Sequence, residues 1–292
     1  MTDVLLVTCA ALPAGEDGGR MLLGELADRG VEARWVAWDD ADVAWDEAGL
    51  VAVRSAWDYE DRRAEFLSWA ASVDTRTRLL NGARVFDWNT DKFYLLGLIE
   101  AGLPVVPTVS ADDEAQLVAA IAAHPQAVVK PRVGASGRGV VVFDGADGPD
   151  GSDGVGRVDA SRLAPGPWIV QPLVQSVRSH GETSVFVLGG EVVSQVRKVP
   201  GAGEIRVHEQ YGGSSVAEVV TADAATFATD VVHAAEQLLD ATLDYARVDL
   251  MRLDDGACVL GELEVTEPGL YLDVVPENAA AFAATVATLL RG

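Results

Sequence analysis

Short apolar runs without helical period alternate with helical stripes along the first hundred residues. Residues 4–8, 31–37 and 50–53 read as strands. Residues 19–29 carry Met21, Leu22, Leu23 and Leu26 at helical spacing and stop before Gly30, which suits a helix C-cap. Strand, helix and further strands in that order predict a β-α-β opening with parallel strands. A helix over 62–72 follows. Another is opened by Asn89-Thr90-Asp91-Lys92 and ended by Gly102-Leu103-Pro104, with Thr90 as N-cap and Lys92 in the first turn. A lysine there opposes the helix dipole unless an anion joins it.

From residue 113 the pattern changes. A helix over 113–123 leads to an apolar strand, Ala127-Val128-Val129-Lys130-Pro131, and a second strand covers 140–143. Between them runs Arg132-Val133-Gly134-Ala135-Ser136-Gly137-Arg138-Gly139, a basic, glycine-rich turn. Its glycines let backbone N–H groups approach oxygens closely, as over a polyphosphate; an ordinary hairpin loop has the same look. Residues 144–157, rich in Gly and Asp, read as a surface connector. The strand over 168–174 carries Gln171 and then Pro172, which lacks a ladder donor and predicts an edge or hinge. A hairpin turns at Gly189-Gly190, and its second strand enters Arg197-Lys198, whose side chains fall on opposite faces. A long helix over 222–240 has Phe227, Val231, Ala234, Ala235 and Leu238 on its packing side. A second hairpin, 245–252 and 258–264, precedes an Ala-rich helix over 277–290 behind Pro276.

Charge narrows the partners. The 292 residues hold 22 Lys plus Arg against 45 Asp plus Glu, a formal charge of −23. Such a chain repels nucleic acid and anionic membrane, so any anionic ligand must meet a local cluster of cations and N–H groups. The Met1-Thr2-Asp3 start has no basic n-region and no apolar run approaches a membrane span, so nothing suggests export. Cys9 and Cys258 sit in apolar runs and read as reduced core residues, which points to the cytoplasm. The four histidines show no metal-ligand spacing.

Candidate chemistry gathers in the second hairpin. Strand alternation puts Arg247 and Asp249 on one face and Glu262 and Glu264 on one face. If the two faces coincide, three carboxylates and a guanidinium converge, and crowded carboxylates call for a hard cation such as Mg²⁺; a solvent-facing charged sheet fits the same pattern. Arg54-Ser55-Ala56-Trp57-Asp58-Tyr59 closes the strand over 50–53, where open α/β sheets bind ligands, although Ser55 or Asp58 also suits a helix cap.

The order of these parts resembles the ATP-grasp superfamily of carboxylate–amine ligases, in the branch of glutathione synthetase, the RimK-type ligases and D-alanine–D-alanine ligase. The parts are Lys92, Val-Val-Lys130-Pro, the Gly-rich loop, Ile-Val-Gln171-Pro, and Arg247-x-Asp249 with Glu262-x-Glu264. The resemblance implies an α/β (α+β) ATP-grasp fold with an N-terminal parallel domain (1–88), a small nucleotide-clamping domain (89–175) and a C-terminal antiparallel domain (176–292). It implies that Lys92 and Lys130 hold ATP phosphates and that the loop bearing Gly134, Ser136, Gly137 and Gly139 closes over them. Gln171, Pro172, Leu173 and Val174 would line the adenine pocket, Asp249, Glu262 and Glu264 would bind Mg²⁺, and Arg247 would stabilise the transition state. Glu264 replaces the usual Asn and could alter metal preference, toward Mn²⁺ for instance. The usual ribose-binding acid is not evident, and Glu182 stands as its substitute.

The segment 54–59, with Arg197-Lys198, Ile205-Arg206-Val207 and Tyr211-Gly212-Gly213, resembles a natural-product sub-group that includes the O-ureido-D-serine cyclo-ligase of cycloserine formation. Arg54, Arg197 and Arg206 are the candidates for gripping a substrate carboxylate. The implied activity is ADP-forming activation of a small carboxylate as an acyl phosphate and its capture by an amine. A small-molecule kinase and a catalytically silent nucleotide-binding module are the rivals. Oligomeric state stays open, a homodimer through apolar strands of the first domain included.

Overall fold

The computed structural model describes residues 3–144, 163–253 and 255–291; the connector expected over 144–157 lies, beyond residue 144, outside them. The first strands follow the apolar pattern. β1 (Val4–Thr8), α1 (Arg20–Ala27), β2 (Ala33–Ala37), β3 (Leu50–Ser55), α2 (Arg63–Asp74) and β4 (Arg78–Leu79) build a parallel sheet of order β2-β1-β3-β4. Every residue of β1 and β3 is buried. Alternation persists beneath the uniform hydrophobicity. Val4, Leu6, Leu50 and Ala52 pack toward Leu22 and Leu26 of α1, while Leu5, Val7, Val51 and Val53 pack toward Phe66, Ala70 and Val73 of α2.

The helix expected over 89–101 begins only at Tyr94, as α4 (Tyr94–Glu100); a separate helix, α3 (Gly82–Asn89), ends where it was expected to open, and Lys92 lies in the link between them rather than in a first turn. The polar side chains there serve tertiary partners. Thr90 ends α3 by donating its hydroxyl to the Phe86 carbonyl at 2.7 Å. Asp91 Oδ1 accepts the Phe93 N–H at 2.9 Å, and the Lys92 N–H reaches across to the Arg132 carbonyl at 2.8 Å.

β5 (Val109–Ala111), α5 (Glu114–Ala122), β6 (Gln126–Pro131), β7 (Val141–Asp144) and β8 (Trp168–Pro172) form a small antiparallel sheet of order β5-β8-β6-β7. β8 is therefore an interior strand, not an edge. Pro172 is its last residue and lies beyond the end of β5, whose pairing stops at Val170, so the missing N–H costs no bond on that side.

The third sheet, β11-β10-β9-β12-β13, is antiparallel and holds β9 (Glu182–Leu188), β10 (Glu191–Val199), β11 (Ser214–Glu218), β12 (Tyr245–Arg252) and β13 (Cys258–Glu264). Gly189 and Gly190 turn β9 into β10 with φ of 59° and 82°, the left-handed pair a two-residue hairpin loop needs. α6 (Ala222–Leu239) covers the sheet through Ala224, Ala228, Val231, Val232, Ala235 and Leu239. Leu238, expected on that side, is exposed. α7 (Glu277–Leu289) packs between two sheets: Phe282, Ala283 and Val286 share one cluster with Phe186, Leu188, Val196 and Tyr245 of this sheet and with Val4, Leu6, Leu22 and Leu26 of the first sheet's unit. No helix among the described residues is long and apolar enough to cross a membrane. Cys9 and Cys258 are free.

Candidate active site

A bulge decides which way the acidic hairpin faces. Near the turn, Leu250 stands opposite Leu260 and Met251 opposite Val259; farther along, the register slips at Gly261, so that Asp249 faces Glu262 and Arg247 faces Glu264. Side chains alternate, so the turn's own register continued would have put both glutamates on the reverse face. The extra residue brings all four charged groups to one side. A Cβ at Gly261 would lie 3.3 Å from the Asp249 carbonyl oxygen, a close approach that favours glycine.

The carboxylates are interlocked with Arg247 of the same hairpin, Lys198 of β10 and Lys92 of the link between α3 and α4. Arg247 holds Asp249 through Nε (3.0 Å to Oδ1) and Nη2 (2.8 Å to Oδ2), and Nη2 also binds Glu264. Lys198 Nζ lies 3.2 Å from Asp249 Oδ2 and pairs with Glu182. Ser184 donates to Asp249 Oδ1 at 2.5 Å. Lys92 Nζ is 3.1 Å from Glu262 and donates to the Gly134 carbonyl at 2.6 Å.

The network lines a cavity of about 360 Å³ where the three sheets meet. Lys92 and Lys130 are on its wall, as are Gly134, Ser136 and Gly137 of the Gly-rich loop. So are Gln171, Pro172, Leu173 and Val174 at the end of β8, and Arg247, Asp249, Glu262, Glu264, Glu182 and Arg206. The loop is anchored on both flanks. Glu60 of the first sheet's unit accepts the Ala135 N–H at 2.6 Å and pairs with Arg138. On the far side Gln210 donates to the Ser136 carbonyl at 2.9 Å, and Arg206 stacks 3.6 Å over Tyr211.

Three expected residues are placed elsewhere. Arg54 is wholly buried and off the wall: it lies between the Tyr245 and Phe282 rings, pairs with Glu16 at 3.3 Å and donates to the Pro268 carbonyl. Arg197 pairs with Glu218 at 2.5 Å on the outer face of β10, and its neighbour Lys198 is the one that faces inward. Gly139 sits behind the wall at φ 70°, where a Cβ would press on Ala164 and Pro131. Lys198, Glu267, Glu16 and Asp17 line the cavity without having been singled out as site residues. The signal for Lys198 was the alternation in β10, readable only with the ladder that sets Lys198 opposite Glu182 and Asp249 opposite Ser184.

Burial and crowding split the carboxylates. Burial pushes Glu264 up, Arg247 pulls it down, and Asp249, Glu262 and Glu267 push it up again, leaving it at about 8. Glu267 ends at about 7, raised by burial against the pull of Lys92 and Tyr59. In Asp249 and Glu262 burial is outweighed, by Arg247 and Lys198 in the first and by Lys92 and Lys130 in the second, and both are lowered. Lys130 is lowered by burial, with Glu262 drawing it back up. Glu264 and Glu267 thus hold protons more tightly folded than unfolded, where a glutamate titrates near 4.5. Their stabilisation is complete below about 4.5 and is lost as pH rises through about 7 and about 8. The thermal midpoint of the ligand-free protein is expected to fall across that window, and Glu264→Gln to remove the upper part of the fall. A midpoint that holds constant there contradicts the assignment.

Among the described residues no three side chains already converge as a metal site. The donor set nevertheless fits a hard divalent ion: three carboxylates on one face, one of them kept protonated by burial and then by its neighbours' charge. The two lysines and the arginine that now satisfy Asp249 and Glu262 (Lys92, Lys198 and Arg247) are the cations such an ion and a phosphate would displace or share.

Residues 4–81 match the N-terminal domain of D-cycloserine synthetase DcsG, and residues 96–274 match the ATP-grasp domain of prokaryotic glutathione synthetase. The chain belongs to the ATP-grasp family. It is 32% identical over 278 residues to the cycloserine biosynthesis protein DcsG of Streptomyces lavendulae, covering 90% of each chain. The crystal structure of D-cycloserine synthetase DcsG superposes with a TM-score of 0.84 at 30% identity, over 98% of this chain and 99% of that one. The ATP-grasp ligase PsnB, solved with minimal precursor, Mg and ADP, shares the fold at a TM-score of 0.66 and 16% identity, over 100% of this chain and 99% of that one. Membership of this family makes the chain an ATP-dependent carboxylate–amine ligase.

Proposed function

We propose that the chain uses ATP and Mg²⁺ to activate the carboxylate of a small amino acid and to close it onto an amine of the same molecule, as the cyclo-ligase of cycloserine formation does. What carries this reading is one shared cavity. Lys92, Lys130 and the Gly-rich loop meet Arg247 and the acidic hairpin there, and Trp57 and Tyr59 close it from the segment that matches the D-cycloserine synthetase N-terminal domain. Residues 1–88 supply the substrate wall in this scheme, 89–175 clamp the nucleotide, and 176–292 carry the charged hairpin. The two free cysteines suit a cytoplasmic setting.

Lys92 and Lys130 neutralise the phosphates, and their recruitment frees Glu262 from the Lys92 ion pair. Asp249, Glu262 and Glu264 would hold Mg²⁺, which supplies charge neutralisation at the β- and γ-phosphates. The substrate carboxylate attacks the γ-phosphorus and ADP leaves. In-line transfer asks chiefly for positioning and electrostatics, which these groups provide without a covalent nucleophile. The amine then attacks the acyl carbon, Arg247 holds the oxyanion, and phosphate departs. Arg206 and Lys198 stand where a substrate carboxylate could be gripped, in place of Arg54 and Arg197.

The test is ATP consumption with Mg²⁺ across amino and hydroxy acids, O-ureido-D-serine among them, with hydroxylamine in parallel and Glu262→Gln as control. Acid-dependent ADP and trapped hydroxamate, both lost in the control, are expected. ADP with a stable phosphorylated product identifies a kinase, and AMP with pyrophosphate overturns the mechanism.

A further inference from the structure

Whatever nitrogen attacks the acyl phosphate must shed a proton, and the groups assigned so far carry no base for it. The segment after β13 offers one. Glu267 is 7% exposed, lines the cavity, and heads a stretch fastened residue by residue to the first sheet's unit. Trp57 Nε1 donates to the Glu267 carbonyl at 3.0 Å, and the Tyr59 phenol beside the Glu267 carboxyl pulls that carboxyl's pKa down against its burial. Arg54 donates to the Pro268 carbonyl, and Glu16 accepts the Leu270 N–H at 2.6 Å. Every charged or aromatic member of the 54–59 motif but Asp58 thus goes to holding this one segment. Arg247 also contacts it, through Nη1 to the Gly269 carbonyl at 3.4 Å. The oxyanion-holding guanidinium and the Glu267 carboxyl are therefore carried on one frame.

We infer that Glu267 is the catalytic base that takes the proton from the attacking nitrogen, held in place by Trp57, Tyr59 and the buried Arg54–Glu16 brace. The inference rests on the ligase reading. In the step, the nitrogen lone pair forms the C–N bond, the nitrogen's proton passes to a Glu267 carboxylate oxygen, and the C–O bond to phosphate breaks as the tetrahedral intermediate collapses. No other reactant is needed. The charged and titratable groups around Glu267 are Tyr59, Tyr245, Lys92, Glu262, Glu264 and Arg247. Burial, offset in part by these groups, leaves the carboxyl poised near neutrality, where a base serves best.

The experiment compares the two half-reactions in wild type, Glu267→Gln and Glu267→Asp, with ATP, Mg²⁺ and O-ureido-D-serine or whichever acid of the panel turns over. Hydroxylamine, neutral at neutral pH, reports acyl phosphate without calling on the base. Glu267→Gln is expected to keep hydroxamate formation within a few-fold while amide formation falls about a hundredfold or more. It should also abolish the acidic limb of the pH profile for amide formation, and Glu267→Asp should restore part of both. Equal loss of hydroxamate and amide, or undiminished amide formation with an unchanged acidic limb, overturns the inference alone. Wild type that forms neither ADP nor hydroxamate with any acid overturns the ligase reading and this inference with it.

Discussion

Replacing Arg247 by lysine is expected to lower amide-forming turnover by roughly 10²- to 10³-fold, the range seen when one oxyanion-stabilising donor is removed. The side chain is 8% exposed and does three things at once. Its Nε and Nη2 hold Asp249 as a fork, Nη2 binds Glu264, and Nη1 reaches the Gly269 carbonyl. Lysine keeps the positive charge among the carboxylates, so the fold survives, but a point charge cannot span these partners and an oxyanion together. The loss should therefore fall on kcat for the amide step, with the KM for ATP little changed. Single-turnover measurements of ADP and amide separate the two steps. Amide turnover close to wild type would remove Arg247 from the transition state.

Arg54→Met is expected to cost about 3–5 kcal/mol of stability, since it leaves the partner of a buried ion pair uncompensated. Arg54 is 0% exposed, and Glu16, its partner, is 6% exposed. Glu16 is raised by burial and held down chiefly by Arg54, so without the guanidinium it is driven to take up a proton. A thermal midpoint lower by about ten degrees is the expected reading. Glu16→Gln combined with Arg54→Met should recover part of it, because removing both charges is far less costly than removing one. A midpoint within a degree or two of wild type, measured by calorimetry, would mean that the brace carries no weight. The single variant should also slow amide formation more than ADP formation, since the braced segment presents Glu267 and the Gly269 carbonyl that holds Arg247.

The chain's own order of residues determined the strands and helices that local pattern dictates. The apolar runs of β1 and β3 with a helix between them predicted a β-α-β opening, and its sheet is parallel. Lys130 near the end of a strand, the Gly-rich loop after it and the Arg247-x-Asp249 hairpin were legible because strand alternation and turn chemistry are short-range properties; that they meet on one cavity is the work of the fold. The motif 54–59 was legible as a special segment for the same reason.

Only the folded chain decided where those side chains went. Arg54 ends a strand, but α7, more than two hundred residues later, and the Pro268 carbonyl turn its surroundings into core. Lys198 rather than Arg197 faces inward because β10 pairs with β9 in one register, and that register is a contact between strands. Lys92 left its helix because the carbonyl of Arg132 and the carboxylate of Glu262 outbid helical geometry. Above all, Gly261 shifts β13 by one residue against β12 and so carries Glu262 and Glu264 to the face of Asp249. A one-residue slip inverts every side chain beyond it, and nothing in the alternation of either strand alone records which residue is skipped.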